Sequence, residues 1–107
     1  MPMSSNEEEI YEAVKLAART GKVKKGVNES TKAIEQGIAK LVIVAKNIDP
    51  PELVMHIPEL AKEKKVPFVY VSSKEKLGEA VGIKSASSVV IVEPGEAASS
   101  ISKFAKV

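Results

Sequence analysis

A run of five apolar residues, 41–45 (Leu-Val-Ile-Val-Ala), is the segment that most restricts how this chain can fold. A strand with one face in water alternates apolar and polar side chains, whereas a strand covered on both faces is apolar throughout. The run therefore predicts a central strand with helices on both sides of the sheet. Two similar runs, at 68–71 and 89–92, predict two further strands.

Helical patterns alternate with these strands. Residues 7–20 carry apolar side chains at helical spacing after a cluster of glutamates, and Gly21 ends the pattern. A short strand is predicted at 23–25, followed by a helix at 28–36 that Gly37 ends in the left-handed conformation. Further helices are predicted at 50–65 with an irregularity at Pro58, at 72–82 behind a capping box of Ser72 and Glu75, and after Pro94-Gly95.

The predicted element order is α-β-α-β-α-β-α-β-α, which indicates an α/β fold. The economical arrangement is a three-layer α/β/α sandwich with a mixed sheet of about four strands. A chain of 107 residues buries roughly two thirds of its unfolded surface. With no linker, repeat or low-complexity run, residues 1–107 are expected to form a single domain and a monomer.

Cysteine is absent from the sequence, which excludes a disulfide scaffold, a zinc ribbon and a thiol nucleophile. No apolar stretch approaches the ~18 residues that a membrane helix needs, and the first residues do not resemble a secretory signal. We therefore expect a cytoplasmic protein with no membrane partner.

The net charge is only +2, but the basic residues are unevenly distributed. Five of them lie between positions 19 and 32 with a single acidic residue, Glu29. Such a segment is either a solvated lysine face or a phosphate-binding surface, and composition does not decide between the two. The low aromatic content, 4%, argues against stacking platforms of the RRM or OB type. The basic residues are Arg19, Lys22, Lys24, Lys25 and Lys32.

Residues 26–32 (Gly-Val-Asn-Glu-Ser-Thr-Lys) place several polar groups at the predicted start of the second helix. Asn28 is a good N-cap residue, and the free backbone N–H groups of a first turn attract anions. Together with Glu29 and Lys32, it suits guanine and phosphate. In an alternative interpretation, Asn28 is only a cap and Glu29 only an acid favoured by the helix dipole.

The residues that most enzymes need are scarce. The chain has one histidine, His56, and one aspartate, Asp49, and neither has an evident partner, so we expect no catalysis and a structural role for His56. Neither a dinucleotide fingerprint nor a GxxxxGK[ST] phosphate loop occurs. The alternative function is a small-molecule-binding regulatory α/β domain that holds a phosphorylated metabolite at the strand ends. Three segments leave strand ends together, 26–32, 46–53 and 72–74, whereas the pattern does not fix the end at which loop 83–87 lies.

Five separated motifs follow one another along the chain: Gly26 to Lys32, Ala39-Lys40-Leu41-Val42, Asp49-Pro50-Pro51-Glu52, Val66-Pro67-Phe68-Val69-Tyr70-Val71 and Ser73-Lys74-Glu75-Lys76-Leu77-Gly78. With these motifs in this order, the sequence over about residues 7–104 resembles the L-seven-Ae family of archaeal large-subunit ribosomal proteins, whose members bind kink-turns in RNA.

The resemblance implies an RNA target bent sharply at an internal loop with tandem sheared G·A pairs. Asn28, Glu29 and Lys32 match the family's guanine readers, and Lys25 and Gly26 precede them. The pocket for an extruded nucleotide matches Asp49, Leu53, Lys74 and Ile83, with Lys84 beside it. Segment 84–88 departs most from the family pattern, and the arginine that eukaryotic relatives carry at position 85 is Ser85 here.

The function implied is that of a non-catalytic RNA-binding protein without a cofactor. Its RNA partners would be ribosomal RNA, box C/D and H/ACA guide RNAs and ribonuclease P RNA, which connects it to ribosome biogenesis and tRNA processing. On guide RNAs it would bind first, and a scaffold protein and the fibrillarin methyltransferase would join later.

Overall fold

The computed structural model of the chain describes residues 3–47 and 52–97, with side chains at 8–47 and 55–97. Helices and strands alternate along these residues, as the sequence pattern predicts. The elements are α1 (Met3–Thr20), β1 (Lys22–Lys25), α2 (Val27–Glu35), β2 (Leu41–Ala45), α3 (Glu52–Glu63), β3 (Phe68–Val71), α4 (Lys74–Ala80), β4 (Ser88–Glu93) and a 3-10 turn (Gly95–Ala97).

The four strands form one mixed sheet in the order β1-β4-β2-β3. Strands β2 and β3 are parallel, whereas β4 runs antiparallel to both of its neighbours, β1 and β2. Strands β1, β2 and β3 therefore point the same way. Their carboxyl ends and the amino end of β4 lie together at what we call the carboxyl edge of the sheet.

Helices cover both faces of this sheet. Helices α2 and α3 pack against each other on one face, and α1 packs against α4 on the other. All five residues of β2 are buried, as are the first four of β4, because both strands lie inside the sheet and between the two helical layers. The α/β fold and the central position of 41–45 are confirmed. None of the described helices is long and apolar enough to cross a membrane.

The capping box predicted at Ser72 and Glu75 is wrong. The N-cap of α4 is Ser73, whose Oγ accepts a hydrogen bond from the Lys76 N–H at 3.1 Å. Ser73 has the extended dihedral angles of an N-cap, and a side chain in that position reaches the third helical residue. Helix α4 then ends at Ala80, and Gly82 follows with a φ of 84°.

Other helix ends differ less from expectation. Gly37 follows α2 with a φ of 75°, which confirms the left-handed termination, and its N–H donates to the Ile34 carbonyl at 3.0 Å. Helix α1 begins at Met3 instead of residue 7, and α3 contains Pro58 as predicted. Only a 3-10 turn is described after Pro94, and Pro50-Pro51 lies outside the described residues.

Candidate nucleic-acid interface

Helix α2 begins at a glycine and not at the predicted asparagine cap. Gly26 is the N-cap residue, with a φ of 95°, a conformation that glycine adopts without steric cost. Its carbonyl already accepts the Ser30 N–H at 2.9 Å, so the helix starts at Val27. Asn28 is therefore the second helical residue, and no side chain caps this end. The prediction of an Asn28 cap is wrong because the left-handed turn at Gly26 starts the helix before the asparagine.

This start leaves three polar side chains on one side of the first turns. Asn28, Glu29 and Lys32 are all exposed, and spacings of three and four residues place both earlier side chains beside Lys32. Within the part of the chain whose side chains are described, none of the three forms a hydrogen bond or an ion pair. As far as the described side chains go, their donors and acceptors are available to a ligand.

Ser30 and Thr31, which lie between Glu29 and Lys32, attach α2 to the neighbouring elements. Ser30 is fully buried, and its Oγ lies 2.8 Å from the Oγ of Ser88 at the start of β4. The Thr31 hydroxyl donates to the Val27 carbonyl at 2.8 Å and lies 2.9 Å from Nε2 of His56. While the Thr31 hydroxyl donates to Val27, Nε2 of His56 can donate to the Thr31 oxygen. His56 thus ties α3 to α2.

Loop 83–87 lies at the carboxyl edge of the sheet. The sequence pattern did not fix the end of the sheet at which this loop lies. The antiparallel direction of β4 brings it there, and three backbone hydrogen bonds fix it. Each joins the loop or Ser88 to a different element: Gly26 N–H to Ser88 C=O at 2.9 Å, Ala45 N–H to Ser87 C=O at 3.0 Å, and Ala86 N–H to Lys74 C=O at 3.0 Å. The loop thereby connects the start of α2, the end of β2 and the start of α4.

Asn47, two residues after β2, organises the start of α4. Its Oδ1 accepts the Lys74 N–H at 2.8 Å, and its Nδ2 donates to Glu75 Oε1 at 3.2 Å. A backbone hydrogen bond to its carboxylate, the Asn47 amide and the Ser73 hydroxyl all lower the pKa of Glu75. Asn47 is not among the residues predicted from the sequence, although a polar residue just past a buried parallel strand is a signal that could have identified it.

Basic residues and one aromatic side chain extend this surface. Arg19, Lys22, Lys24 and Lys25 are exposed at the end of α1 and along edge strand β1. At the opposite edge strand, Tyr70 is 44% exposed, and Lys46 Nζ lies 5.8 Å from the centroid of its ring. The pairing of Lys46 with Tyr70 is not among the contacts predicted from the sequence.

The residue pattern over this fold matches a known family. Residues 8–101 match the Ribosomal protein L7Ae/L30e/S12e/Gadd45 family. The chain belongs to this family. Its structure is similar to that of a protein described as "Giardia lamblia 15.5kD RNA binding protein", with a TM-score of 0.88 and 29% sequence identity. That match covers 96% of this chain and 87% of the Giardia chain.

The family match includes every position that the resemblance to L-seven-Ae proteins assigns to RNA. Eight of these residues lie at the carboxyl edge or in the elements that meet there: Lys25, Gly26, Asn28, Glu29, Lys32, Lys74, Ile83 and Lys84. Asp49 lies outside the described residues, and Leu53 lies in α3 with its side chain undescribed. Across the described side chains, no group of three His, Cys, Asp or Glu could hold a metal ion.

Proposed function

We propose that this family member is a non-catalytic RNA-binding protein that recognises kink-turns with tandem sheared G·A pairs. The observation that carries the proposal is the exposed group of Asn28, Glu29 and Lys32 at the start of α2, which has no partner among the described side chains. A carboxylate accepts hydrogen bonds from guanine N–H groups, whereas an ammonium donates to guanine O6 and N7. Sheared pairing leaves such base edges accessible.

The neighbouring residues fit the other parts of such a target. Lys25 lies immediately before the N-cap of α2, and Lys24 and Lys22 lie further back along β1; all three are exposed and can contact the phosphates of a bound duplex. Ile83 is 39% exposed and lies on the loop that is hydrogen-bonded to Lys74. With Asp49, Leu53 and Lys84, these residues would enclose an extruded nucleotide by apolar contact and a few polar ones.

The similarity to a protein described as RNA-binding supports RNA as the partner class. By resemblance, we extend the proposal to an archaeal protein whose targets are ribosomal RNA, box C/D and H/ACA guide RNAs and ribonuclease P RNA. A scaffold protein and fibrillarin would join it on guide RNA. It would work in the cytoplasm as a single-domain monomer without a cofactor.

A gel-shift titration tests the proposal with two RNAs of equal length. One contains a kink-turn, and in the other both G·A pairs are replaced by Watson–Crick pairs. We expect the replacement to weaken binding by roughly 1–3 kcal/mol for each base that the protein no longer reads. Equal affinity for the two RNAs would contradict recognition of the G·A pairs. Thermal stabilisation by a nucleotide or sugar phosphate, without a shift from kink-turn RNA, would instead favour the metabolite-binding alternative.

A further inference from the structure

Two serines stand out in the core of the protein. Among the residues whose side chains are described, Ser30 and Ser88 are the only buried polar ones, and both have no exposed surface. They are 58 positions apart in the chain, and their hydroxyl oxygens are 2.8 Å apart. The two hydroxyls share one hydrogen bond in which either can donate, so each oxygen has a partner, as buried polar groups require.

Backbone hydrogen bonds close a ring around this pair. The Gly26 N–H donates to the Ser88 carbonyl at 2.9 Å, and the Ser30 N–H donates to the Gly26 carbonyl at 2.9 Å. The ring therefore joins the N-cap and the first turn of α2 to the first residue of β4. Ser88 directly follows loop 83–87. The ring therefore also fixes the position of the end of this loop relative to the start of α2.

The positions around this serine pair are apolar. Ser88 belongs to a strand that continues as Val-Val-Ile-Val, and its cross-strand neighbour is Val44. Two apolar side chains of matching shape are often as stable as a buried hydrogen-bonded pair. Apolar contact has no preferred direction, whereas a hydrogen bond constrains both distance and angle. The hydroxyl pair therefore adds positional constraint more than stability.

We propose that Ser30 and Ser88 are positioning residues for RNA recognition. Their hydrogen bond sets the spacing between the exposed group on α2 and loop 83–87, which are two parts of the surface that one kink-turn would contact together. This inference rests on the proposed function. Neither serine touches RNA in this arrangement, because both side chains are completely buried.

The test uses the full chain with Ser30→Ala and Ser88→Ala, singly and together. The double variant removes the hydrogen bond without leaving a buried hydroxyl unpaired, so it should be more stable than either single variant. A control, Ile10→Val, removes one buried methylene from α1 on the opposite side of the sheet. It should lower the melting temperature without changing RNA affinity.

Two readouts distinguish positioning from plain stability, both measured where every variant is folded. In the double variant we expect kink-turn affinity to fall roughly tenfold, equivalent to one weakened base contact. We also expect exchange of the Gly26 amide with solvent to speed up by a larger factor than exchange at Ile43 in β2, because Ile43 lies in the core and reports global unfolding. Ile10→Val should leave the RNA affinity unchanged, and it should speed exchange at Gly26 by no larger a factor than exchange at Ile43.

The outcomes separate the two proposals. Unchanged affinity in the double variant, with the wild type binding the kink-turn, would overturn the positioning role alone, whatever happens to Gly26 exchange. An equal loss of affinity in Ile10→Val would also overturn it, because the effect would then follow stability. A wild-type protein that does not distinguish the kink-turn from the control duplex would instead refute the proposed function.

Discussion

Gly78 in α4 lies directly against the backbone of Ser85, the middle residue of loop 83–87. A Cβ atom at position 78 would overlap with the Ser85 Cα and would lie 2.6 Å from its backbone nitrogen. Gly78 also accepts the Ile83 N–H on its carbonyl at 2.9 Å. The missing side chain thus allows the loop to fold back over α4 and reach the carboxyl edge of the sheet.

Gly78→Ala should therefore displace the loop. Because the obstructing atoms are backbone and cannot rotate away, we expect a loss of about 1–3 kcal/mol in the free energy of unfolding. Urea denaturation measures this loss, and a kink-turn titration should show weaker binding because Ile83 and Lys84 move with the loop.

Gly82→Ala is the matched control for this effect. Gly82 has a φ of 84°, a conformation that strains the backbone of alanine. A Cβ atom at this position would have no heavy atom within 4 Å, so the substitution causes no clash. We expect a cost of roughly 1–2 kcal/mol and little change in RNA affinity. If both variants weakened RNA binding equally, the close approach of Gly78 to Ser85 would not be required for the loop position that binds RNA.

Glu29→Ala tests the acceptor role of the α2 start. Removing one good hydrogen-bond acceptor for a base should weaken kink-turn binding by roughly 1–3 kcal/mol, and binding to the duplex without G·A pairs should change much less. The control is Glu35→Ala, which removes another exposed carboxylate, from the last residue of the same helix. Parallel titrations measure both variants, and equal losses would indicate a general effect of charge.

The sequence predicted the elements of this fold well because their signals are local. The apolar run 41–45, the helical spacing in 7–20 and the left-handed Gly37 each depend on neighbouring residues, and each has its counterpart in the structure. The position of loop 83–87 could not be predicted in this way. It depends on β4 running antiparallel between β1 and β2, which is a property of the whole sheet.

In the candidate site, too, features with a local signal differ from those that depend on the folded structure. Asn28 has a strong intrinsic preference for the N-cap, yet the dihedral angles of Gly26 start the helix earlier and leave the asparagine exposed. The roles of Asn47 and the Ser30–Ser88 pair depend on contacts between residues 27 and 58 positions apart. The place of Asn47 just past a buried strand hints at its role, but no local pattern indicates which distant residue either contact joins. The family resemblance supplied neither Asn47 nor the serine pair.

Lys22→Ala tests the basic strand β1. Lys22 is exposed at the start of the strand, away from the proposed base-reading group, so it should contact phosphate without reading sequence. Removing it should weaken binding to both RNAs alike and reduce the slope of log affinity against log salt by about 1. Lys62→Ala, in the last turn of α3, is the charge-matched control. Equal slopes in the two variants would contradict a phosphate contact at Lys22.

Asn47→Ala should raise the pKa of Glu75. A backbone hydrogen bond to the Glu75 carboxylate, followed by the Asn47 amide, holds this pKa below its ordinary value of 4.5. A carboxyl whose pKa is lowered on folding stabilises the fold at pH values above 4.5, and this contribution is lost as the pH falls through the folded pKa. The variant should retain the backbone hydrogen bond and the Ser73 hydroxyl, so we expect only a partial return toward 4.5.

An NMR titration of the Glu75 carboxyl carbon measures this shift directly. The difference in free energy of unfolding between wild type and Asn47→Ala should also narrow as the pH falls below 4.5, because protonated Glu75 no longer gains from the amide. Part of the difference should persist, since the bond from Lys74 N–H to Asn47 Oδ1 does not titrate. The control, Asn28→Ala, removes an exposed amide that does not contact Glu75. In this variant the titration curve of Glu75 should match that of the wild type. An unchanged Glu75 curve in Asn47→Ala would show that the amide does not act on the carboxylate in solution.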